Sequence, residues 1–432
     1  MKIFRIHMEW MRNDSIAVPA ERALFGRLTI HVDDDCVSQL RDSWHGAVAD
    51  GPYVSVYPLL NWMLANWWSL RFEPCHSKRP SEEFLMRHSW MAVSGPYSLP
   101  GLTTWREDDR MMLEVEPSRS RFHEAHFQVS GKWTVPVATF ELELARLIEA
   151  SCDRLRQFGL GDDPVVDCWR EITSLTSEER EYCGACGRIG LEPGRIPDEL
   201  AEELIRTAEL PAFKNTRFAA EFLDSESAVT TIFEDAQKVS RAVDQLSSAG
   251  CLRDVRRAEE AILPFSVSPG RPYEAGYRAA QELRSGFGLS RQLGPPDLEA
   301  MFGWTPQGAL ALPRSGVALI SRSPAGEIRV GAKVGLESSQ RFGFCRAMFD
   351  ALAVPRDLGY ISTGYRLRDK ASRAFSAEFL LSSEALRHEV ETAGGIVDDE
   401  FVRAIAEKYK VSTITVSDQL TNHGLPVPAE AA

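Results

Sequence analysis

His123-Glu124-Ala125-His126 places two imidazoles and a carboxylate within four residues, a composition suited to holding a metal ion. A zinc-peptidase helix carries its histidines at i and i+4, so that both face one ion, with a glutamate between them as general base. Here the spacing is i and i+3, and the alternating Phe127 and Val129 that follow read as a strand entry. Cys183-Gly184-Ala185-Cys186 is a second candidate, but a structural zinc site needs four ligands and no second C-x-x-C exists. Its helical flanks do not match the strand-then-helix setting of a redox pair, so buried structural thiols are expected. The run Asp33-Asp34-Asp35 follows a strand and reads as a solvated turn rather than a cation site. The chain shows neither a nucleophile elbow nor a phosphate-binding glycine pattern.

The remaining chemistry depends on the elements of the last third. Tyr273 to Phe287 predicts a helix, and Pro295-Pro296-Asp297-Leu298 opens a short second one. Val317 to Ile320 and Glu327 to Val330 predict paired strands around the turn Ser323-Pro324-Ala325-Gly326. Helices are expected over 340–353, 370–391, 398–409 and 412–422. Phe344, Met348 and Leu352 recur at helical spacing and should pack inward against Phe375, Phe379 and Leu380.

That order, with Arg341-Phe342 leading into one helix and Ala371-Ser372-Arg373-Ala374-Phe375-Ser376-Ala377-Glu378-Phe379-Leu380-Leu381 forming the next, resembles the ImmA/IrrE family of zinc metallopeptidases. The closing Asp399–Tyr409 helix, the Val411-Ser412 turn and the helix over 413–422 extend the resemblance to roughly the last 150 residues. It implies a zincin-like domain with a small sheet and helices. Aligned on Arg341-Phe342, the His-Glu-x-x-His positions fall on Arg346, Ala347 and Asp350, and the third ligand position falls near Asp369 or Lys370. A permanently cationic arginine repels a metal ion and alanine cannot accept a proton, so neither zinc nor any other cofactor is expected. A salt-bridge cluster of Arg346 with Asp350 and Asp369 is expected in the metal's place, beside a peptide groove bordered by Arg346, Ile328 and Val330. The nearest histidine in sequence, His388, lies well outside the motif helix.

The resemblance therefore implies a non-catalytic binding or regulatory protein with a protein or peptide partner, in the setting of stress, toxin–antitoxin or phage-defence control in a prokaryote. Two alternatives stay open: an active metallopeptidase whose ligands come from elsewhere, such as His123 and His126, or a DNA-linked regulator using the last two helices. Against the latter, residues 413–422 offer Thr413, Thr415, Ser417, Asp418 and Gln419 but neither Arg nor Lys for phosphates. The formal net charge of −13, nearly all of it before residue 251, also opposes nucleic acid.

For the rest of the chain, 432 residues exceed one compact core, and a composition of 44% hydrophobic and 26% charged residues is that of an ordinary globular protein; the order of strand and helix signals along it predicts an α+β, multidomain fold. The expected division is a mixed α/β region over 1–138, a helical middle over 139–263, a Pro/Gly-rich boundary at Pro264 to Pro272, and the peptidase-like domain over 273–425. Pro58 to Leu70, with three tryptophans, predicts one buried helix. The absence of a long apolar run opposes a membrane partner, and eight scattered cysteines fit a reducing cytoplasm.

Overall fold

The computed structural model describes residues 3–42, 47–77, 79–119, 125–225, 231–247, 250–262, 271–289, 293–306, 309–364 and 366–428. They form two compact units, Met1–Ala201 and Glu202–Ala432. With 53% helix and 17% strand, the chain is α+β, and among the described residues every strand ladder is antiparallel. No helix among them is long and apolar enough to cross a membrane.

In the first unit, Phe4–Trp10 pairs with Phe25–Val32, whose strict alternation buries Leu28, Ile30 and Val32 on one face. A second meander joins Gly101–Glu107, Arg110–Glu116 and Gly131–Pro136. The long helix Val137–Gln157 carries Phe140, Leu144, Leu147, Ile148, Cys152 and Leu155 on one apolar stripe, and the Phe140 ring lies 5.4 Å from Phe4. This helix thus belongs to the N-terminal core. The expected separate middle over 139–263 is instead shared between the two units. The tryptophan-rich segment breaks at Asn66 into Tyr57–Ala65 and Trp67–Phe72, and Trp67 meets Trp169 edge-on at 5.1 Å.

The second unit is built on a three-stranded sheet with Gly316–Arg322 at its centre, Ile328–Ala332 on one side and Leu358–Ser362 on the other. The hairpin follows the expectation; the third strand was not foreseen. Helix Glu337–Ala353, here termed the motif helix, is buried almost all round. A helix so enclosed belongs to the middle of a core and can carry charge only with partners. Leu367–Leu380 packs beside it, and Pro272–Gly286 packs on Leu367–Leu380 so closely that a Cβ at Gly276 would lie 2.1 Å from the Ala371 carbonyl oxygen. The single helix expected over 370–391 is two, because Leu381 leaves helical geometry and Ser382 caps Ser383–Thr392 by accepting from the Ala385 N–H. The tail helices Asp399–Tyr409 and Thr413–Asn422 are capped by Asp398 and Ser412 and bury Val402, Ile405, Tyr409, Val416 and Leu420 in the same core. The loop expected as a boundary before Pro272 lies almost wholly outside the described residues.

Candidate functional site

Of the expected inward set, Phe344, Met348, Phe375, Phe379 and Leu380 are buried, while Leu352 is partly so. The two helices meet through a different ring, however: Phe349 lies 5.1 Å from Phe375, whereas Phe344 stacks on Trp304 at 4.6 Å. With both apolar faces taken, the polar residues of the motif helix gather where Leu367–Leu380 begins.

Arg346 is 3% exposed. Its Nη2 lies 3.0 Å from Asp369 Oδ1, and its Nε donates to Ser372 Oγ at 3.1 Å. The other Asp369 oxygen accepts from Arg366 Nε at 3.1 Å, so one buried carboxylate holds two guanidinium groups. Asp350, also expected beside Arg346, is paired otherwise: Arg368 Nε lies 3.1 Å from Oδ1, and Arg356 forms a close ion pair with Oδ2. Both of these arginines continue to Glu221, which also accepts from the Tyr360 backbone N–H at 3.1 Å. Ala347 is fully buried and has only packing to contribute. The motif positions therefore sit in two linked ion clusters. Glu221, Arg356, Arg366 and Arg368 were not read from the sequence. The only signal was the density of charge in Arg366-Leu367-Arg368-Asp369, and nothing local pointed to Glu221.

Burial works to raise the carboxyl pKa of Glu221, but Arg368, Arg356 and Arg366 outweigh it and bring the value down to about 2. Asp369 likewise is held below its ordinary value: burial opposes this, and Arg366 and Arg346 prevail. Burial lowers the Arg346 guanidinium to about 10 against the pull of Asp369, and lowers Arg356 to about 9 with Arg368 adding to the effect. All these groups stay charged near neutrality.

This donor set does not fit zinc. Each carboxylate is already engaged by arginine, no base stands at Ala347, and His388 is exposed on Ser383–Thr392. Among the described residues no group of three or more His, Cys, Asp or Glu side chains is placed to hold a metal ion.

The groove expected at Ile328 and Val330 is not open. Both residues are buried. The outward-facing backbone of their strand is met by the chain itself at both ends: Leu252 N–H donates to the Ile328 carbonyl at 2.8 Å and Leu310 N–H to that of Ala332 at 2.8 Å. An edge taken up at both ends cannot give an incoming peptide a continuous ladder unless those segments leave.

The other candidates resolve simply. His123 and Glu124 lie outside the described residues; His126 is on the short strand Ala125–Phe127. Cys183 and Cys186 are buried free thiols on Ser177–Arg188, and burial pushes Cys186 up to about 12, which favours the unreactive thiol over the thiolate. Asp33 and Asp34 form a turn and Asp35 begins the short strand Asp35–Cys36; Asp33 accepts from the Ile3 N–H at 2.8 Å and Asp35 from Trp133 Nε1 at 3.0 Å. On the last helix, Thr415 and Gln419 face the core, where Gln419 Nε2 donates to Glu378 and to the Leu381 carbonyl, so they cannot read bases.

The fold and site thus define an α+β chain of two units, the second with a buried arginine–carboxylate network at its centre. Comparison with family models, curated proteins and solved structures finds no match to the chain.

Proposed function

We propose that this chain acts by binding rather than catalysis: a regulatory protein on a degenerate ImmA/IrrE-type frame, working through a protein or peptide partner. The observation that carries the reading is the pairing of Arg346 with Asp369 at 3.0 Å, between a motif-helix position and the third-ligand position. A guanidinium supplied by the chain takes up the carboxylate that would otherwise ligate a cation. With Ala347 beside it, no group is left to activate water. Leu252 and Leu310 on the strand edge imply that a partner peptide either displaces these segments or docks elsewhere on the unit.

The test combines metal analysis with a peptidase assay on the full chain purified with zinc present. The reading expects substoichiometric zinc, no cleavage of peptide libraries, and partner proteins recovered with the chain from its native cells. About one tightly held zinc per chain, lost in Asp369→Ala, or zinc-dependent cleavage, overturns it.

A further inference from the structure

Beside the ion network the second unit opens a cleft of about 360 Å³. Three elements meet there: the start of helix Thr216–Leu223, with Asn215 and Arg217; the end of the central strand, with Arg322; and the turn before the third strand, with Arg356 and Asp357. The wall thus carries three guanidinium groups and one carboxylate. The arginines are braced by acids that do not line the cleft. Arg322 Nη1 lies 3.0 Å from Glu259 while its Nη2 donates to the Ala351 carbonyl, and Arg217 Nε lies 3.7 Å from Glu221. Arg356 is held by Glu221 and Asp350.

Arg217 is half exposed and the Arg322 side chain is 19% exposed, so both can still donate to a ligand, each guanidinium having five N–H groups. Arg356, 2% exposed, contributes charge rather than contact. Burial, Arg368, Arg217 and Arg366 all weaken its guanidinium, with Glu221 opposing, so the surroundings of Arg356 favour added negative charge. The first turn of Thr216–Leu223 contributes its positive dipole end at the same place.

We propose that this cleft binds the phosphate group of a small phosphate monoester, with Arg217 and Arg322 as its ligands and Asp357 accepting from a hydroxyl of the attached sugar. Guanidinium donors supplied by separate elements around one cleft suit the three terminal oxygens of a phosphate dianion better than the two coplanar oxygens of a carboxylate. The volume falls at the small-molecule end of ligand sites, about 300–1,000 Å³. A chain of net charge −13 repels a polyanion, which favours a small ligand over nucleic acid. Exposed Asp357 would repel the phosphate itself but suits a sugar hydroxyl. The site stands independently of the partner-binding reading, since it uses none of the strand edge.

The test is calorimetric titration of the full chain, at constant ionic strength, with inorganic phosphate, adenosine monophosphate and a hexose phosphate. Saturable one-site binding is expected, tighter for one ester than for inorganic phosphate, which identifies the sugar. Arg217→Ala, at a half-exposed position that the fold tolerates, should weaken binding about tenfold to a hundredfold, the worth of one charge-assisted hydrogen bond. Asp357→Ala removes both the acceptor and the negative charge, so it should tighten inorganic phosphate while abolishing the preference for the ester over it. No saturable binding of any of the three probes, or undiminished binding by Arg217→Ala, overturns the site; equal affinity for all three overturns the role of Asp357.

Discussion

Replacing Asp369 by alanine deletes the acceptor of two buried guanidinium groups. Arg346 keeps only the neutral Ser372 hydroxyl, while Arg366 still has Asp224 at 3.6 Å. Removing one partner of a buried ion pair costs about 3–5 kcal/mol, because the other charge stays desolvated. Asp224 offers partial relief to Arg366, which places the expected loss near the lower figure. Replacing both partners with apolar residues, as in Arg346→Met with Asp369→Leu, removes the stranded charge and should restore much of the loss. The pair is therefore non-additive, with a coupling of about 0.5–3 kcal/mol.

Two units make a bulk unfolding transition a poor reporter, and Trp304 is the only tryptophan beyond residue 201. Hydrogen exchange read on peptides covering 337–353 and 367–380 isolates the effect. The carboxyl of Asp369 is depressed in the folded state, so its stabilisation is present above the unfolded value of about 3.9 and is lost as pH falls through the lower folded value. The parent should lose protection over that acidic window and Asp369→Ala should lose less. A change in protection within about 0.5 kcal/mol of the parent at neutral pH, the range of ordinary surface substitutions, would refute the reasoning.

Phe375→Ala removes a fully buried ring stacked on Phe379 and facing Phe349, and should cost about 3–5 kcal/mol, read by hydrogen exchange on the peptides covering 337–353 and 367–380; unchanged protection contradicts the packing. Gly276→Ala puts a methyl 2.1 Å from a backbone oxygen, where no side chain can yield, and should destabilise by about 1–3 kcal/mol despite alanine's better helix propensity; a rise in melting temperature would show that the helices separate freely. In the first unit, burial raises Glu192 to about 7 against the Ser69 hydrogen bond. Its folded value exceeds the unfolded one, so its contribution is full below about 4.3 and is lost as pH rises through 7. Glu192→Gln should flatten the fall in first-unit stability across that window, and an unaltered pH profile would count against it.

The elements with strong local signals were legible. Alternation marked Leu28, Ile30 and Val32, and the apolar stripe marked the helix through Leu144 and Ile148. What escaped depended on distance or on brevity. Leu358–Ser362 has five residues, one of them glycine, too few to show a period; it becomes a strand because Gly316–Arg322 offers it a ladder. The break after Leu380 had a local sign, Ser382 three residues before Ala385, masked by continuing helical periodicity. The pairing of Arg346 with Asp369 could be anticipated because both residues fall on positions that face one centre in the resembled family. The partners of Asp350 could not. Arg356 and Arg368 come from the turn and helix around the unforeseen strand, and Glu221 lies 135 residues before Arg356 in sequence.

The composition of the network follows from what a buried carboxylate requires. Asp369, in an interior this dry, must have a cation or lose its charge. On the proposed reading an active relative meets that need with a metal, and this chain meets it with arginine. A guanidinium brings one charge where zinc brings two, and it is long and planar. The substitution therefore spreads outward: Arg346 and Arg366 share Asp369, while Asp350 and Glu221 recruit Arg356 and Arg368. Restoring His-Glu-x-x-His at 346–350 would then not restore a zinc site. It would place one new imidazole near Arg366 and another beside Arg368, and would leave both Arg356 and Arg368 short of one carboxylate, so the outer arginines would have to be replaced in the same variant.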